Sequence, residues 1–192
     1  MGCLLDPEQI NPPRRSVKQV HKATILDDQT WLNPEQEADG MVSDKSHLAL
    51  CIKTADCTPV HLTDGKRISC IHAGWRSAKA GIVNDALGYF PNLNETIAVL
   101  GPAISAANYE VDKDLYEDWL QEDPRLGEWL QPSRNGGSKR MLDLRGYIRE
   151  GLLQAGIKQV IVIPVCTYAS PLPSYRRQGA KAARIINYIY RE

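Results

Sequence analysis

The stretch that decides the fold and the chemistry is TADCTPVHLTDGKRISCIHAGWR, residues 54–76. Two β-like runs, PVHL and ISCIH, flank the turn sequence TDGK at 63–66, and this pattern predicts a β-hairpin. Cys57 lies seven residues before one central turn residue, and His72 lies seven residues after the other. The two side chains are therefore predicted to be nearly opposite, with Cβ atoms about 4.5–5.5 Å apart. That separation suits a shared metal or a thiol–imidazole hydrogen bond.

Outside the hairpin, the chain alternates between β-like and helix-like segments. A helix-period pattern runs from Lys79 to Tyr89, and Asp143 is typical of a residue that caps a helix, here one running to Ala155. The other predicted elements are a strand or hairpin over 17–25, strands over 48–53, 96–100 and 157–165, helices over 115–120, 125–130 and 177–190, and a mobile loop over 131–139. This mixture, without an internal repeat, favours one α/β or α+β domain with mixed sheets. We assign residues 1–16 to an irregular lead-in and residues 17–192 to the domain.

Composition excludes several classes of protein. The 192 residues are 43% hydrophobic and 24% charged, which is typical of a globular chain. Because 23 basic residues balance 23 acidic ones, a dedicated nucleic-acid binder is not expected. No apolar run reaches the ~20 residues of a membrane helix, and the N-terminus does not resemble a secretory signal. The five cysteines are odd in number, so we expect free thiols in a cytoplasmic protein.

Polar side chains crowd the ends of the predicted hairpin strands. Asp56 precedes Cys57, and Trp75 and Arg76 follow His72 at a short distance. Polar groups at such positions are costly unless they are paired or used, which favours a functional cleft. The alternative is structural, because cysteine is often buried and a histidine on a strand is often satisfied within the core. These residues alone leave both interpretations open.

Further motifs extend the pattern over most of the chain. The segments TADCTPV, IHAGWRSAKAGI, LGPAISAANYEV, LDLR, CT and SYRR follow one another in this order, and QVH precedes them at 19–21. Together they resemble the YfiH/laccase-domain family, also called the multicopper polyphenol oxidase or purine nucleoside phosphorylase family. The resemblance covers about residues 17–190. It implies a single domain with mixed β-sheets in an α-β-β-α layered sandwich.

The resemblance also implies a metal site. Carried over motif by motif, its ligands are His21, Cys57 and His72. Imidazole and thiolate suit Zn²⁺, and three protein ligands leave the fourth position open, as in catalytic zinc sites. A multicopper laccase is not expected, because four histidines cannot supply both a His-rich cluster and a His₂Cys centre. Copper is less expected than zinc, but the affinity order of the divalent metals alone favours copper, so the sequence leaves the native metal open. His47, in a polar turn, and His61, in a strand, are not expected to be ligands.

The activity that the resemblance implies is phosphorolysis of purine nucleosides such as adenosine, inosine and guanosine, with adenosine deamination as a companion. We assign Arg76 to the phosphate or another substrate anion, since a guanidinium binds such groups in a bidentate manner. Arg176 and Arg177 are candidates for substrate binding or belong to a solvated face. Asp56 is a candidate base or orienting carboxylate, unless it only caps a turn. Trp75 is a candidate for stacking on the purine, unless it only packs.

The match has departures, and these keep other functions open. A Thr-Arg-x-Gly-Gly stretch that usually precedes QVH in the family is absent, Ser77 replaces a glycine, and Gln178 replaces an aspartate. One alternative is a metal-free cysteine hydrolase that uses Cys57 and His72, with a link to peptidoglycan editing. Another is a shortened, inactive member that still binds metal. The expected partners are small molecules, with no nucleic acid or membrane, and the sequence leaves the oligomeric state and the preferred nucleoside undetermined.

Overall fold

β-Strands carry most of the fold. The computed structural model describes residues 2–4 and 11–192. In chain order the strands are β1 (Gly2–Leu4), β2 (Arg14–Arg15), β3 (Ile25–Leu26), β4 (Gly40–Ser43), β5 (Leu48–Thr54), β6 (Thr58–Thr63), β7 (Ile68–Ala73), β8 (Ile97–Leu100), β9 (Glu110–Val111), β10 (Leu130–Pro132), β11 (Arg140–Leu142), β12 (Gln159–Val162) and β13 (Ile185–Arg191). The α-helices are α1 (Trp75–Lys79), α2 (Ile82–Leu87), α3 (Lys113–Glu122), α4 (Leu144–Gln154) and α5 (Tyr175–Gln178), with 3₁₀ turns at Ala106–Asn108, Pro124–Trp129 and Gly179–Lys181.

Two large sheets and one small sheet organise these strands. The four-stranded sheet has the order β1-β13-β5-β2, and the six-stranded sheet has the order β12-β8-β6-β7-β4-β3. Each of the two contains both parallel and antiparallel pairs. A small antiparallel sheet follows the order β10-β11-β9. The predicted single α/β domain with mixed sheets is therefore confirmed.

The two large sheets pack face to face, with β5 and β13 against β7. The buried side chains between them are Met41, Leu50, Ile52, Ile68, Cys70 and Ile189. Helices α1, α2 and α4 cover the opposite face of the six-stranded sheet, where the largest apolar cluster includes Leu62, Ile71, Leu100 and Leu152. The predicted α-β-β-α sandwich also has a helical layer over the outer face of the four-stranded sheet. That layer stays a prediction.

The central hairpin forms as predicted, but its register differs by two residues. Thr63 pairs with Ile68, so that Pro59, and not Cys57, lies opposite His72. The turn is wider because the Asp64 carboxylate accepts hydrogen bonds from the backbone N–H groups of the two residues that close it. Since side chains alternate with a period of two, Cys57 still projects on the same side as His72, from a diagonal position.

The predicted helix over 177–190 is wrong. Only Tyr175–Gln178 is α-helical, with a 3₁₀ turn after it at Gly179–Lys181, and Ile185–Arg191 forms β13, which pairs with β5 along its whole length. Its apolar residues have helical spacing, but β-branched isoleucines paired with a central strand favour the sheet. The helix over 79–89 is also divided, because Gly81 adopts a left-handed φ of 86° between α1 and α2.

Other predictions hold in part. The Asp143 side chain caps α4 by accepting from the Gly146 N–H at 2.9 Å, and α3 and β8 lie where expected. The predicted strand over 157–165 is limited to β12, and the loop over 131–139 is bounded by the paired strands β10 and β11. The segment over 17–25 is not a hairpin: it is a loop with an isolated bridge from Lys18 to Glu37, and only its last residue, Ile25, belongs to a strand, β3. The predicted lead-in contributes β1 and β2, and its residues 1 and 5–10 lie outside the described residues.

None of the helices in the described residues is long and apolar enough to cross a membrane.

Candidate metal centre and its cavity

Two imidazoles and one thiol converge from three separate segments of the chain. His21 lies in the loop before β3, Cys57 lies between β5 and β6, and His72 is the penultimate residue of β7. Their potential ligand atoms all lie within 4.8 Å of one another. His21 Nε2 is 4.0 Å from Cys57 Sγ, and the two imidazole centroids are 4.7 Å apart. The structure thus brings together the three side chains that the resemblance implies as metal ligands.

Asp39, fully buried just before β4, organises this cluster. One carboxylate oxygen accepts from His72 Nδ1 at 2.8 Å and from the His21 N–H at 2.9 Å. The other accepts from the N–H groups of Val20 and Lys22 at 3.1 and 2.8 Å. Asp39 therefore fixes the orientation of one imidazole and the backbone that carries the other, including the left-handed φ of 59° at His21.

Gly74 allows the cluster to close. A Cβ at this position would lie 3.1 Å from both Cys57 Sγ and His21 Cδ2, closer than ordinary van der Waals contact. The turn is held by the buried Ser77, whose hydroxyl accepts from the Gly74 N–H and donates to the His72 carbonyl, each at 3.0 Å. The serine that departs from the family pattern is thus built into the turn beside the cluster.

The cluster favours a charged thiolate. Burial raises the pKa of the Cys57 thiol, but the hydrogen bonds and charges of His21 and His72 outweigh this effect and lower that pKa to about 6. Burial lowers the pKa of His72, but Asp39 and Cys57 reverse the shift and raise it to about 9. Burial also raises the pKa of Asp39, yet its hydrogen bonds with His72 and the Lys22 N–H hold that pKa below its ordinary value.

The Asp56 carboxylate is bound by three hydrogen-bond donors from later in the chain. Its Oδ1 accepts from the Thr167 hydroxyl at 2.6 Å, and its Oδ2 accepts from the Ser174 hydroxyl at 3.1 Å and from the Arg176 N–H at 2.6 Å. Its backbone carbonyl accepts from the Ile104 N–H, and its φ is 92°. The carboxylate therefore connects the Cys57 turn to the start of α5. Both oxygens are already used as acceptors, which does not favour the predicted role as a base.

The cluster lines one wall of a cavity of about 760 Å³. The Arg76 guanidinium lies 4.3 Å from the centroid of the half-buried Trp75 ring. The Arg176 guanidinium lies 5.3 Å from the Tyr109 ring and donates to the Glu110 carbonyl at 2.7 Å. Of the described residues, none supplies a carboxylate partner to either guanidinium.

Arg177 does not line this cavity. Its guanidinium donates to the backbone carbonyls of Thr167, Tyr168, Ser170 and Leu172 and so holds the 167–172 loop. The candidate substrate-binding role of Arg177 is therefore not favoured, and its neighbour Arg176 is the member of the pair that faces the cavity.

Comparisons with known proteins identify the family of the chain. Residues 7–192 match a family model described as "Multi-copper polyphenol oxidoreductase laccase". The chain belongs to this family. The match confirms the resemblance to YfiH/laccase-domain proteins drawn from the motifs.

Relatives within the family carry a more specific name. A Rickettsia conorii protein named purine nucleoside phosphorylase is 34% identical over 167 residues, which cover 84% of this chain and 69% of that protein. A Synechocystis protein with the same name is 32% identical over 90% of this chain and 79% of its own length. A solved Neisseria meningitidis structure superposes with a TM-score of 0.87 at 28% identity, covering 96% of this chain and 78% of that one. Bacillus licheniformis YfiH gives 0.83 at 26% identity, covering 93% and 74%.

Two residues that shape the site were not singled out in the sequence. Asp39 precedes a glycine in a polar stretch, which is the signal of a turn, and its contacts come from residues distant in the chain. Tyr109 lies within the LGPAISAANYEV motif and lines the cavity. Burial raises the pKa of its hydroxyl, so Tyr109 stays a neutral hydrogen-bond donor. The two histidines not expected to be ligands lie elsewhere: His47 is exposed, and His61 is buried in β6.

Proposed function

We propose that this chain is a metal-dependent purine nucleoside phosphorylase with Zn²⁺ held by His21, Cys57 and His72. The observation that carries the proposal is the convergence of these three side chains on the wall of a cavity that also presents two arginines, neither of which has a carboxylate partner within the described part of the chain. The relatives named purine nucleoside phosphorylase support a function of this kind in the family. They suggest purine nucleosides and phosphate as the small-molecule substrates.

The residues fit a metal ion in three respects. Two imidazoles and a thiolate are the donor set that zinc prefers, and three protein ligands leave one position open. The Asp39 carboxylate accepts from the ring nitrogen of His72, the arrangement found behind metal-bound histidines in general. Gly74 leaves the space in which His21 and Cys57 approach each other. A zinc ion bound here supplies a Lewis acid facing the cavity.

Phosphorolysis needs two reactants held in one cavity. A phosphate oxygen attacks the anomeric carbon of the ribose, the C–N glycosidic bond breaks, and the purine leaves with the bonding electrons and takes up a proton. We assign Arg76 and Arg176 to the phosphate, because a guanidinium matches its geometry and charge. Trp75 offers an aromatic face for the purine. Asp56 acts as a positioning residue, because it holds the backbone from which Arg176 projects.

Adenosine deamination is the companion activity that we propose for the same site. Water adds to the purine carbon that bears the amino group, the bond from that carbon to the amino nitrogen breaks, and ammonia leaves with a proton from the water. It requires no phosphate, so the two activities are separable by omitting phosphate from the assay. Ammonia release from adenosine that persists without phosphate would support this second reaction.

One specific observation favours a second candidate function, a cysteine hydrolase without metal. Cys57, His72 and Asp39 stand in the order of a nucleophile, its base and the carboxylate that orients the base, with 2.8 Å between His72 Nδ1 and Asp39 Oδ1. His21 distinguishes the two functions, because the hydrolase does not need a second imidazole. Alkylation of the Cys57 thiol that stays fast in a His21→Ala variant, together with activity in the absence of metal, would favour the hydrolase.

The test is phosphorolysis by the purified chain. The protein, loaded with zinc, is incubated with inosine or adenosine and phosphate, and the free purine and ribose 1-phosphate are quantified with and without a chelator. We expect both products, loss of activity on chelation, and recovery on addition of zinc. Arg76→Ala should raise the KM for phosphate, whereas Arg149→Ala, an exposed arginine outside the cavity, should not. If the zinc-loaded protein forms no product even at high concentration, the proposal fails and the inactive metal-binding member remains.

A further inference from the structure

The cavity carries more positive charge than one phosphate requires. Its lining includes Lys53 and Arg184 in addition to the two arginines assigned to the phosphate. Among the described residues, the acids of the lining are Glu35 and Asp56, and both oxygens of Asp56 already accept hydrogen bonds. A cavity with this balance of charge selects anionic ligands.

Lys53 and Arg184 lie close together at one end of the four-stranded sheet. Lys53 pairs with Ile186 across β5 and β13, and the next pair in the ladder joins Thr54 to Ile185, the first residue of β13. Arg184 immediately precedes Ile185, so each cation is the chain neighbour of one member of the Thr54–Ile185 pair. Both side chains are exposed.

Neither cation has a carboxylate partner among the described residues. The Arg184 guanidinium donates to the carbonyls of Ala182 and Ala183. Throughout residues 11–192, the ion pairs do not include Lys53 or Arg184. The backbone of Lys53 is held in place, because the Gln19 side-chain amide donates to its carbonyl at 2.8 Å and accepts from its N–H at 2.7 Å. Two adjacent like charges on a fixed backbone repel each other, and a bound dianion relieves that repulsion.

The two pairs of cations lie on different elements. Lys53 lies in β5 and Arg184 immediately precedes β13, whereas Arg76 lies on α1 and Arg176 on α5. All four line the same cavity. Because two guanidinium groups suffice for one phosphate, the remaining two cations are available to a second anionic group.

We infer that Lys53 and Arg184 form a second anion subsite, which binds the phosphate of a phosphorylated nucleoside. The inference rests on the proposed function in one respect, namely that a nucleoside occupies the cavity. A phosphomonoester carries a charge of about −1.5 to −2 at neutral pH and three acceptor oxygens, which matches one ammonium and one guanidinium. The substrate class then includes nucleoside monophosphates as well as nucleosides.

Binding measurements test this inference without any turnover. Isothermal titration calorimetry of the zinc-loaded protein is carried out with adenosine, with adenosine 5′-monophosphate and with inorganic phosphate alone. We expect the monophosphate to bind about tenfold tighter than adenosine or more, and this preference to weaken as salt increases. In Lys53→Ala/Arg184→Ala, the ratio of the two dissociation constants should fall to about one, whereas Lys158→Ala/Arg149→Ala, which removes two exposed cations outside the cavity, should leave the ratio unchanged.

Two results would overturn the inference. The first is a monophosphate that binds no tighter than adenosine to the unaltered protein, even if inorganic phosphate binds. The second is a preference that survives removal of Lys53 and Arg184. Because the readout is binding and not phosphorolysis, either result leaves the proposed activity standing. Conversely, a protein without phosphorylase activity can still show the preference.

Discussion

Replacement of Asp39 by asparagine tests how the metal centre is held together. The carboxylate accepts four hydrogen bonds, three from backbone N–H groups around His21 and one from the His72 ring. An asparagine retains one acceptor oxygen and places an NH₂ group against donors, so at least two of these bonds are lost. Hydrogen bonds to a charged group contribute about 1.5–3 kcal/mol each, so Asp39→Asn should reduce the free energy of unfolding by roughly 3 kcal/mol or more.

Asp39→Asn should also lower the affinity of the protein for zinc. Loss of a partner behind a metal-bound histidine typically reduces metal affinity by about 10–100-fold, equivalent to roughly 1.4–2.7 kcal/mol. Zinc affinity is measured by competition with a chelating indicator, and stability by urea unfolding of the metal-free protein. Asp28→Asn is the matched control, because Asp28 also accepts several hydrogen bonds, from Ser43, Asp44 and Arg15, but lies apart from the cluster. We expect Asp28→Asn to lower stability and leave zinc affinity unchanged. An Asp39→Asn protein with zinc affinity within twofold of the original would refute the reasoning.

Three further predictions concern single side chains. Gly74→Ala places a Cβ 3.1 Å from the side chains of Cys57 and His21 and should lower zinc affinity about tenfold, as measured by chelator competition. In the control Gly151→Ala, the new Cβ meets no atom within 4 Å outside its chain neighbours and its own helix backbone, and it should stabilise α4 by about 0.5–1 kcal/mol. Equal zinc affinities for the two variants would contradict this prediction. Burial lowers the pKa of His61 to about 3, below its unfolded value of 6.5, so the unfolded state gains a proton first as the pH falls and stability should decrease below pH 6.5. Urea unfolding of the original protein should show a loss of about 1.6 kcal/mol between pH 6.5 and pH 5 that is absent from His61→Leu. A pH dependence that the replacement leaves unchanged would show that His61 is not its source. Arg177→Lys loses the planar fork that contacts four carbonyls and should reduce the unfolding free energy by about 1–2 kcal/mol with zinc affinity unchanged; a loss of zinc binding would place Arg177 nearer the metal than the structure does.

Local sequence patterns predicted the elements whose formation depends on local contacts. The hairpin around residues 63–66 and the Asp143 cap of α4 follow from turn and cap residues within a few positions. The final segment was misassigned because Ile185, Ile186 and Ile189 fit helical spacing, while the partner that makes them a strand, β5, lies more than 130 residues earlier in the chain. Long-range pairing of this kind outweighs local propensity.

The candidate site was predictable to the extent that its residues belong to motifs. His21, Cys57 and His72 were assigned together by the resemblance, and the structure brings their ligand atoms within 4.8 Å. Asp39 was not found, because a carboxylate before a glycine looks like a turn until the residues that donate to it are known. The Asp56 carboxylate accepts hydrogen bonds from Thr167 and Ser174, which are more than 100 residues away in the chain. No local sequence pattern predicts those two bonds.

Metal content tests the central claim most directly. Inductively coupled plasma mass spectrometry of the purified, zinc-loaded chain should give one zinc per molecule. Single alanine replacements of His21, Cys57 and His72 should each abolish zinc binding. The control Cys166→Ala, which alters a thiol outside the cluster, should retain the zinc. A metal-free wild-type chain, or a full zinc complement after the replacement of His21, would contradict the claim that these three side chains form one metal centre.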